Sequence, residues 1–496
     1  MKRSRSRRDV LLYLAIALFI LAIGVSYALI GLMGRGEFTL ALVFLVGGLA
    51  VVGSLASVEV ALWCLLVMSF TDGLLKGMDP THWTVFLKDL FLFLALIRWG
   101  WMNLTRHDWS SLRKVPLAVP AALFILYCVA ETLNTSTRSL PVAAAGLRSW
   151  ILWIPVAVLG YDALRKREQL DRLLLLTIFL ALLTGAYGVL QYNIGFEHLY
   201  RLGRGFAFYN RYGWDQESVR ATSTFVSPGA FGGAMSLVAI VALASAAYFR
   251  KSLWKALAIL TSATCLVGLA TSASRAPLLG LLVGGVGILI LVRKPSLLLA
   301  AALIALLGVW QLDRFAGGAF ERRYNEVYLN APTIAGRALY PFSQGLTAAL
   351  DHPFGLGVAT GVGIGRAGYL LSGSEIAAES AGGLENEYGR ALRELGLPGT
   401  LLFLWMLGLV IQAGFVAYRR CRTSQYRMMA GACVGVTLSV LAQLLVGSAL
   451  YVAPGGLIFW LFYAIALRLP DLEAADPRVQ AWLPRIPEPA AVSAGT

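Results

Sequence analysis

Three arginines stand where apolar segments begin or end, and a guanidinium in such a place suits phosphate chemistry. Its planar fork donates two parallel hydrogen bonds to phosphate oxygens and stays charged at every working pH. Arg148, in GLRSWILWIP, falls about two turns inside an apolar segment, where an unpaired charge costs about 2.5–3.5 kcal/mol, so it needs a partner or a wet cavity. Arg220 opens RATSTFVSPGAFGG and Arg275 lies in TSASRAPLLG, both beside small or hydroxyl residues that allow close backbone approach. Three guanidiniums at one depth could converge on one phosphate; the competing reading is snorkelling of long side chains towards headgroups.

A carboxylate complements them. GGLENEYGRALRELGLPG reads as a helix that starts near Glu385, breaks between Gly396 and Gly399, and puts Glu385 on one face with Tyr388, Gly389, Leu392 and Gly396. Glu387 and Glu394 then point to the other side. An apolar, small-residue face disfavours the charged form of Glu385 and so makes it a stronger proton acceptor. The alternative is an acid stabilised by the helix macrodipole. Lys88 and Asp89, consecutive in FLKDLFLFL, point about 100° apart on a helix and read as a polar clamp between spans, with a part in the site as the minority reading. His352 opens the Gly-rich stretch DHPFGLGVATGVGIGR. No Lys-Ser/Thr follows it and no strand precedes it, so a tight, close-packed turn fits better than a nucleotide loop. His82, His107, His198 and His352 are the four histidines, and none shows metal-ligand spacing.

These residues are carried by a membrane chain. Of 496 residues 58% are hydrophobic and 14% charged, with a mean hydropathy of +0.70, far outside soluble composition. The basic start, Lys2 to Arg8, precedes an apolar run at 11–32 that is too long for a signal peptide and has no small-residue cleavage site, which reads as an uncleaved first span. The net charge of +15 falls largely in short loops, where it sets topology and meets anionic headgroups; nucleic acid is not implied. Cys64, Cys128, Cys265 and Cys433 lie in apolar segments and Cys421 in a basic loop, which gives no disulfide framework.

Runs long enough to cross a bilayer fall near 11–32, 38–56, 57–71, 84–101, 115–133, 142–160, 170–192, 229–249, 255–271, 275–292, 296–312, 397–417, 428–449 and 454–468. The expected fold is therefore all-α and polytopic, with about 12–14 spans. With a cytoplasmic N-terminus, every dense basic cluster lands inside: Arg106, Arg113 and Lys114; Arg165, Lys166, Arg167 and Arg172; Arg250, Lys251 and Lys255; Arg293 and Lys294; Arg419, Arg420, Arg422 and Arg427.

Two long segments then face outward, 193–228 and 313–396. Loops of that length are rare without a function. Most of their arginines, Arg390 and Arg393 among them, read as solvated side chains in loops too long for the charge rule. Within the larger segment, RALYPFSQGLTAAL at 337–350 reads as an interfacial amphipathic helix. The expected organisation is a basic N-terminus at 1–10, spans one to eleven within 11–312, the large loop at 313–396, the last three spans at 397–468, and a disordered cytoplasmic tail at 469–496.

Taken in order, LKDLFLF, the Arg220 segment, SRAPLLG, the stretch from Arg337 through LYPFSQGLTAALDHPFGLG, and ENEYGRALRELGLPG resemble the superfamily of O-antigen ligases and O-antigen or exopolysaccharide polymerases. The likeness extends from about residue 85 to 468; each motif is short, and the ordered set carries the specificity. It implies a metal-independent inverting glycosyltransferase without a cofactor, acting on the outer face of the bacterial cytoplasmic membrane on undecaprenyl-diphosphate-linked oligosaccharide as donor and acceptor. By that resemblance Arg148, Arg220 and Arg275 contact the diphosphate, Arg337 is a loop residue near the site, Glu385 is the base, and Lys88, Asp89, His352, Asn386 and Tyr388 support it. The ligases carry a histidine before the asparagine of the last motif, where this chain has Glu385, and that departure favours the polymerase branch. The implied partners are lipid-linked glycan, the bilayer and a chain-length regulator. A ligase, including protein O-oligosaccharyltransferases, is the nearest rival. A lipid-linked oligosaccharide flippase is more remote, because no internal repeat is visible. A non-catalytic scaffold would not need arginine within a span.

Overall fold

A computed structural model of the chain describes residues 38–78, 82–134, 140–200, 214–215, 218–292, 331–361 and 386–480. Two compact units divide it, Met1–Leu65 with Leu87–Asp108, and Leu66–Phe86 with Trp109–Thr496. Among the described residues the structure is helical but for one antiparallel pairing of two-residue strands. The protein is an all-α polytopic membrane protein: six described helices are long and apolar enough to cross a bilayer. The expected spans at 11–32 and 296–312 lie outside the described residues.

In the first unit α1 (Phe38–Ala56) passes into α2 (Val58–Phe70) without loss of hydrogen bonding. Ser57 N–H donates to Gly53 O and Ser57 O accepts from Ala61 N–H, both at 3.0 Å. The end of α2 and the short α3 (Asp72–Met78) belong to the second unit, and the first-unit part of α4 (His82–Arg106) carries Lys88, buried, and Asp89, half-buried.

The second unit continues with α5 (Ser110–Lys114), α6 (Ala118–Glu131) and α7 (Leu140–Ile151). The span expected at 142–160 is one of the six, Leu140–Ala163, and passes from α7 into α8 (Val156–Ala163) through a tighter turn at 152–155, where Pro155 has no N–H to give. After α9 (Arg167–Ile194) and α10 (Glu197–Tyr200) come β1 (Trp214–Asp215) and β2 (Ser218–Val219). The remaining elements are α11 (Pro228–Tyr248), α12 (Ser252–Ser272), α13 (Arg275–Val292), α14 (Ala331–Asp351), α15 (Glu387–Arg420), α16 (Ser424–Gln443), α17 (Gly455–Ala475) and α18 (Pro477–Gln480).

Helix α11 packs against α9, α12, α13 and α16, and α17 packs against α8, α15 and α16. These two helices are the most enclosed of the long ones, 72% and 78% buried over their apolar windows, and form the core of the unit. Without water to pair with it, backbone in this core must satisfy itself, which α-helices do.

Two expectations are corrected. The chain beyond Arg468 is not a tail from residue 469: α17 continues to Ala475, with Leu469, Leu472 and Glu473 buried. Glu473 accepts the backbone N–H groups of Arg422 and Thr423, at 2.8 and 2.6 Å, and Asp476 bonds Arg167, so this end is fastened to two loops. Residues 481–496 lie outside the described residues. The helix of the ENEYG motif begins at Glu387 rather than at Glu385, because Asn386 caps it: Asn386 Oδ1 accepts from the N–H groups of Tyr388 and Gly389, at 2.9 and 3.1 Å.

Candidate active site

The segment that bears Arg220 is held by a series of buried hydrogen bonds. Ala221 N–H donates to Thr271 O at 3.0 Å. Gln191, fully buried on α9, offers Oε1 to the N–H groups of Thr222 and Ser223, at 2.9 and 2.6 Å. Ser223 has φ 51°, a left-handed conformation that its own N–H and hydroxyl bonds maintain, the hydroxyl donating to Thr184 O at 2.6 Å. Ser227 then caps α11 by accepting from Ala230 N–H at 3.2 Å, with Pro228 at the first helical position, where its missing N–H costs nothing.

On the facing side α12 ends at Ala273, with φ 46° and ψ 40°, and this reversal allows Arg275 to open α13 three residues after Ser272. Arg220 ties the two together. Its Nε donates to Ser272 O at 3.2 Å, and one terminal nitrogen reaches Ala273 O at 3.4 Å and Ser274 Oγ at 3.1 Å. Arg220 and Arg275 thereby share the lining of one cavity of about 810 Å³, completed by Ser227, Gln443, Ser448 and Tyr451. The volume is of the size that small-molecule and cofactor sites occupy. Gln443 is fixed from the far wall, its amide nitrogen donating to the hydroxyls of Ser236 and Ser439 at 3.3 and 3.2 Å.

Behind Tyr451 lies an ion pair in the interior. The Arg390 guanidinium carbon is 5.2 Å from the centre of the Tyr451 ring and 4.4 Å from that of Trp150. Arg390 Nε donates to Glu394 Oε1 at 3.0 Å, and Trp150 Nε1 donates to Glu394 Oε2 at 2.7 Å. Ser149 Oγ accepts from Arg390 at 2.6 Å, and Gly361 N–H donates to Glu394 at 3.0 Å. Arg390, expected to be solvated, is fully buried, because these partners replace its water. Glu387 is also buried; its backbone N–H donates to Leu444 O at 2.9 Å, at the end of α16 beside Gln443.

The Gly-rich stretch supplies the remaining support. Leu397 N–H donates to Pro353 O, Leu356 N–H to Arg393 O and Gly357 N–H to Glu394 O, so the turn after α14 is laid against the break in α15. That break is at Gly396, with φ 61° and ψ −162°, a conformation open almost only to glycine, and a Cβ there would stand 2.2 Å from Pro353 O. Over its described part, residues 351–361, the Gly-rich stretch is thus close-packed against α15; residues 362–366 lie outside the described residues.

The other sequence-predicted residues fall elsewhere. Arg148, on α7, has its guanidinium 5.6 Å from the centre of the Phe86 ring and is not among the residues that line the cavity. Arg337 lies on the first turns of α14. Asn386 is buried as a cap, Tyr388 donates its hydroxyl to Leu441 O at 3.2 Å, and His352 is exposed at the end of α14. Lys88 and Asp89 belong to the first unit. Glu385 lies outside the described residues, as do His82 in its side chain and Arg366 entirely. Among the described residues no group of three or more His, Cys, Asp or Glu could hold a metal ion.

Sequence reasoning missed Gln191, Gln443, Tyr451, Trp150 and the Arg390–Glu394 pair. Only the pair had a local signal, the four-residue spacing that brings opposite charges together on a helix.

Residues 260–404 match the family model described as O-Antigen ligase. The match covers most of α12, all of α13 and α14, and α15 through Leu404, and so includes Arg275, Arg337, Glu385, Arg390 and Glu394. It supports the resemblance to the O-antigen ligase and polymerase superfamily. No curated protein matches the chain.

Proposed function

We propose that this chain is a bacterial surface-polysaccharide polymerase, an inverting glycosyltransferase that joins undecaprenyl-diphosphate-linked repeat units at the outer face of the cytoplasmic membrane. The observation that carries the reading is the common cavity of Arg220 and Arg275, at the N-terminal ends of α11 and α13. A hydroxyl of one lipid-linked unit attacks the anomeric carbon of the growing chain. As the new glycosidic bond forms, the bond to the diphosphate oxygen breaks and the lipid diphosphate leaves with its electron pair. Arg220 and Arg275 meet the charge that develops on it, the electrostatic contribution that such transfers need. Glu385 takes the proton of the attacking hydroxyl. Its near neighbour Glu387 supports this assignment, since the Glu387 N–H bonds Leu444 O, next to Gln443 of the cavity wall.

The second reading is a ligase that transfers finished glycan to a lipid core or a protein, which the family match accommodates equally. Product analysis separates the two. Purified protein incubated with a synthetic lipid-diphosphate repeat unit and EDTA should yield a ladder of repeat units still attached to lipid. Transfer only to an added core acceptor would favour the ligase, and no transfer of either kind would remove the glycosyltransferase reading.

A further inference from the structure

The Arg220 cavity occupies one end of the core helices, and a second cavity occupies the other. It encloses about 560 Å³ and is lined from the start of α9, the loop between α11 and α12, and the end of α17. Helices α11 and α17 have 21 residues each, about 30 Å of rise, so the two cavities are a bilayer core apart. Arg419, Arg420 and Arg422, at the end of α15, are at the same end as the second cavity, since Arg422 and Thr423 bond Glu473 near the end of α17. Basic residues concentrate at this end, which marks it as the cytoplasmic one.

Five cations and three carboxylates line this cavity, and they are not used alike. Arg167 forms the floor: it bonds Asp476, lies 3.7 Å from Asp171, and has the rings of Tyr248 and Tyr426 at 5.2 and 5.8 Å. Arg165 is paired with Asp162 at 3.1 Å. Lys166, Arg250 and Lys251 are exposed, and among the described residues no carboxylate is paired with them; Arg250 reaches only Gln425 Oε1, at 3.4 Å. Glu168 is the remaining acid of the rim. Beside these cations stand Trp254, half-buried, and Leu253, 70% exposed, the aromatic and apolar companions expected where headgroup meets acyl chain.

We propose that this cavity is a binding site for an anionic phospholipid of the cytoplasmic leaflet, with the headgroup phosphate held by Lys166, Arg250 and Lys251 over the Arg167 floor and the acyl chains passing Trp254 and Leu253. The site is separate from the glycan cavity and needs no glycan for its test. Native mass spectrometry of the full chain, titrated with phosphatidylglycerol or phosphatidylcholine, reads the binding directly.

Phosphatidylglycerol should be retained in preference to phosphatidylcholine. Each basic residue near an anionic headgroup contributes about 1 kcal/mol, so the triple variant Lys166→Gln, Arg250→Gln, Lys251→Gln should bind it about a hundredfold more weakly. The charge-keeping variant Lys166→Arg, Arg250→Lys, Lys251→Arg should retain it, which separates lost charge from a disturbed fold. Equal retention of the two lipids, or unchanged preference in the triple glutamine variant, overturns the proposal. So does competition by glycerol phosphate alone at the concentration of the lipid, which would identify a soluble phosphate site.

Discussion

Arg390 and Glu394, one helical turn apart on α15, form a 3.0 Å ion pair in which both side chains are almost wholly removed from solvent. Trp150 serves both, with its ring under the guanidinium and its N–H on the carboxylate, while Phe124 and Phe403 each pack edge-on to it and lie tilted against each other. Breaking a buried pair by removing one member leaves an uncompensated charge, a loss of about 3–5 kcal/mol, whereas removing both leaves none. Arg390→Met or Glu394→Leu alone should therefore lower the thermal unfolding temperature in detergent more than the double variant does. Single losses that sum to the loss of the double variant would show that the two side chains act independently.

Arg220 spends its fork on three acceptors of the α12–α13 turn, and a lysine ammonium cannot reproduce that geometry. Arg220→Lys and Arg275→Lys should each reduce polymer formation while leaving the protein folded, and the alanine variants should lose on the order of 10²–10³ in kcat. In the proposed mechanism the charge they meet develops in the transition state, so kcat should fall more than KM rises. A rise in KM at constant kcat would make them ground-state binders only.

Glu385→Gln keeps size and hydrogen bonding but cannot accept a proton. Lipid-linked repeat units supplied to this variant should remain unextended, with membrane insertion and thermal stability unchanged. Ladders of normal length would remove Glu385 from the reaction.

The spans were legible because lipid demands long, uninterrupted apolar helices: runs expected at 170–192, 229–249 and 255–271 are the cores of Arg167–Ile194, Pro228–Tyr248 and Ser252–Ser272. Arg220 and Arg275 were legible for a different reason, as cations flanked by small and hydroxyl residues at segment ends. Gln443 and Tyr451 carry no charge, and their places in the same cavity are set by where α16 stops, which depends on packing with α11 and α13. Arg390 reads as solvated from the sequence because nothing near it announces Trp150 and Ser149, over 200 positions earlier in the chain. The sequence pattern sets the helix start near Glu385, whereas the cap by Asn386 sets it at Glu387, because the capping bonds depend on backbone geometry that the pattern does not carry.

Helix α13 approaches α16 through glycines. A Cβ at Gly284 would stand 2.4 Å from Gly435 O and 2.9 Å from Ser439 Cβ, so even one methyl group must push the helices apart. Small residues at such contacts let transmembrane helices meet by van der Waals packing. Gly284→Leu should destabilise the protein by about 1–3 kcal/mol or more, read as a lowered unfolding temperature. Because α13 begins with Arg275, transfer activity should fall even at temperatures where the variant is folded. Full activity in a folded Gly284→Leu protein would show that the register of α13 does not set the site.

Gln191 does not line the cavity, yet it fixes the segment that carries Arg220 into it. Its Oε1 is the acceptor for two successive N–H groups in a turn that Ser223 makes with positive φ, and those groups have no water to turn to. Replacing it with leucine leaves both unsatisfied, at about 1–3 kcal/mol each, and frees the turn to relax. Gln191→Leu should thus lose stability and transfer together. Gln191→Glu, which keeps a carboxyl oxygen as acceptor at the same reach, should recover part of the activity. If Gln191→Leu instead lost stability but kept the wild-type kcat once folded at low temperature, the Thr222–Ser223 turn would be a structural joint with no bearing on where Arg220 stands.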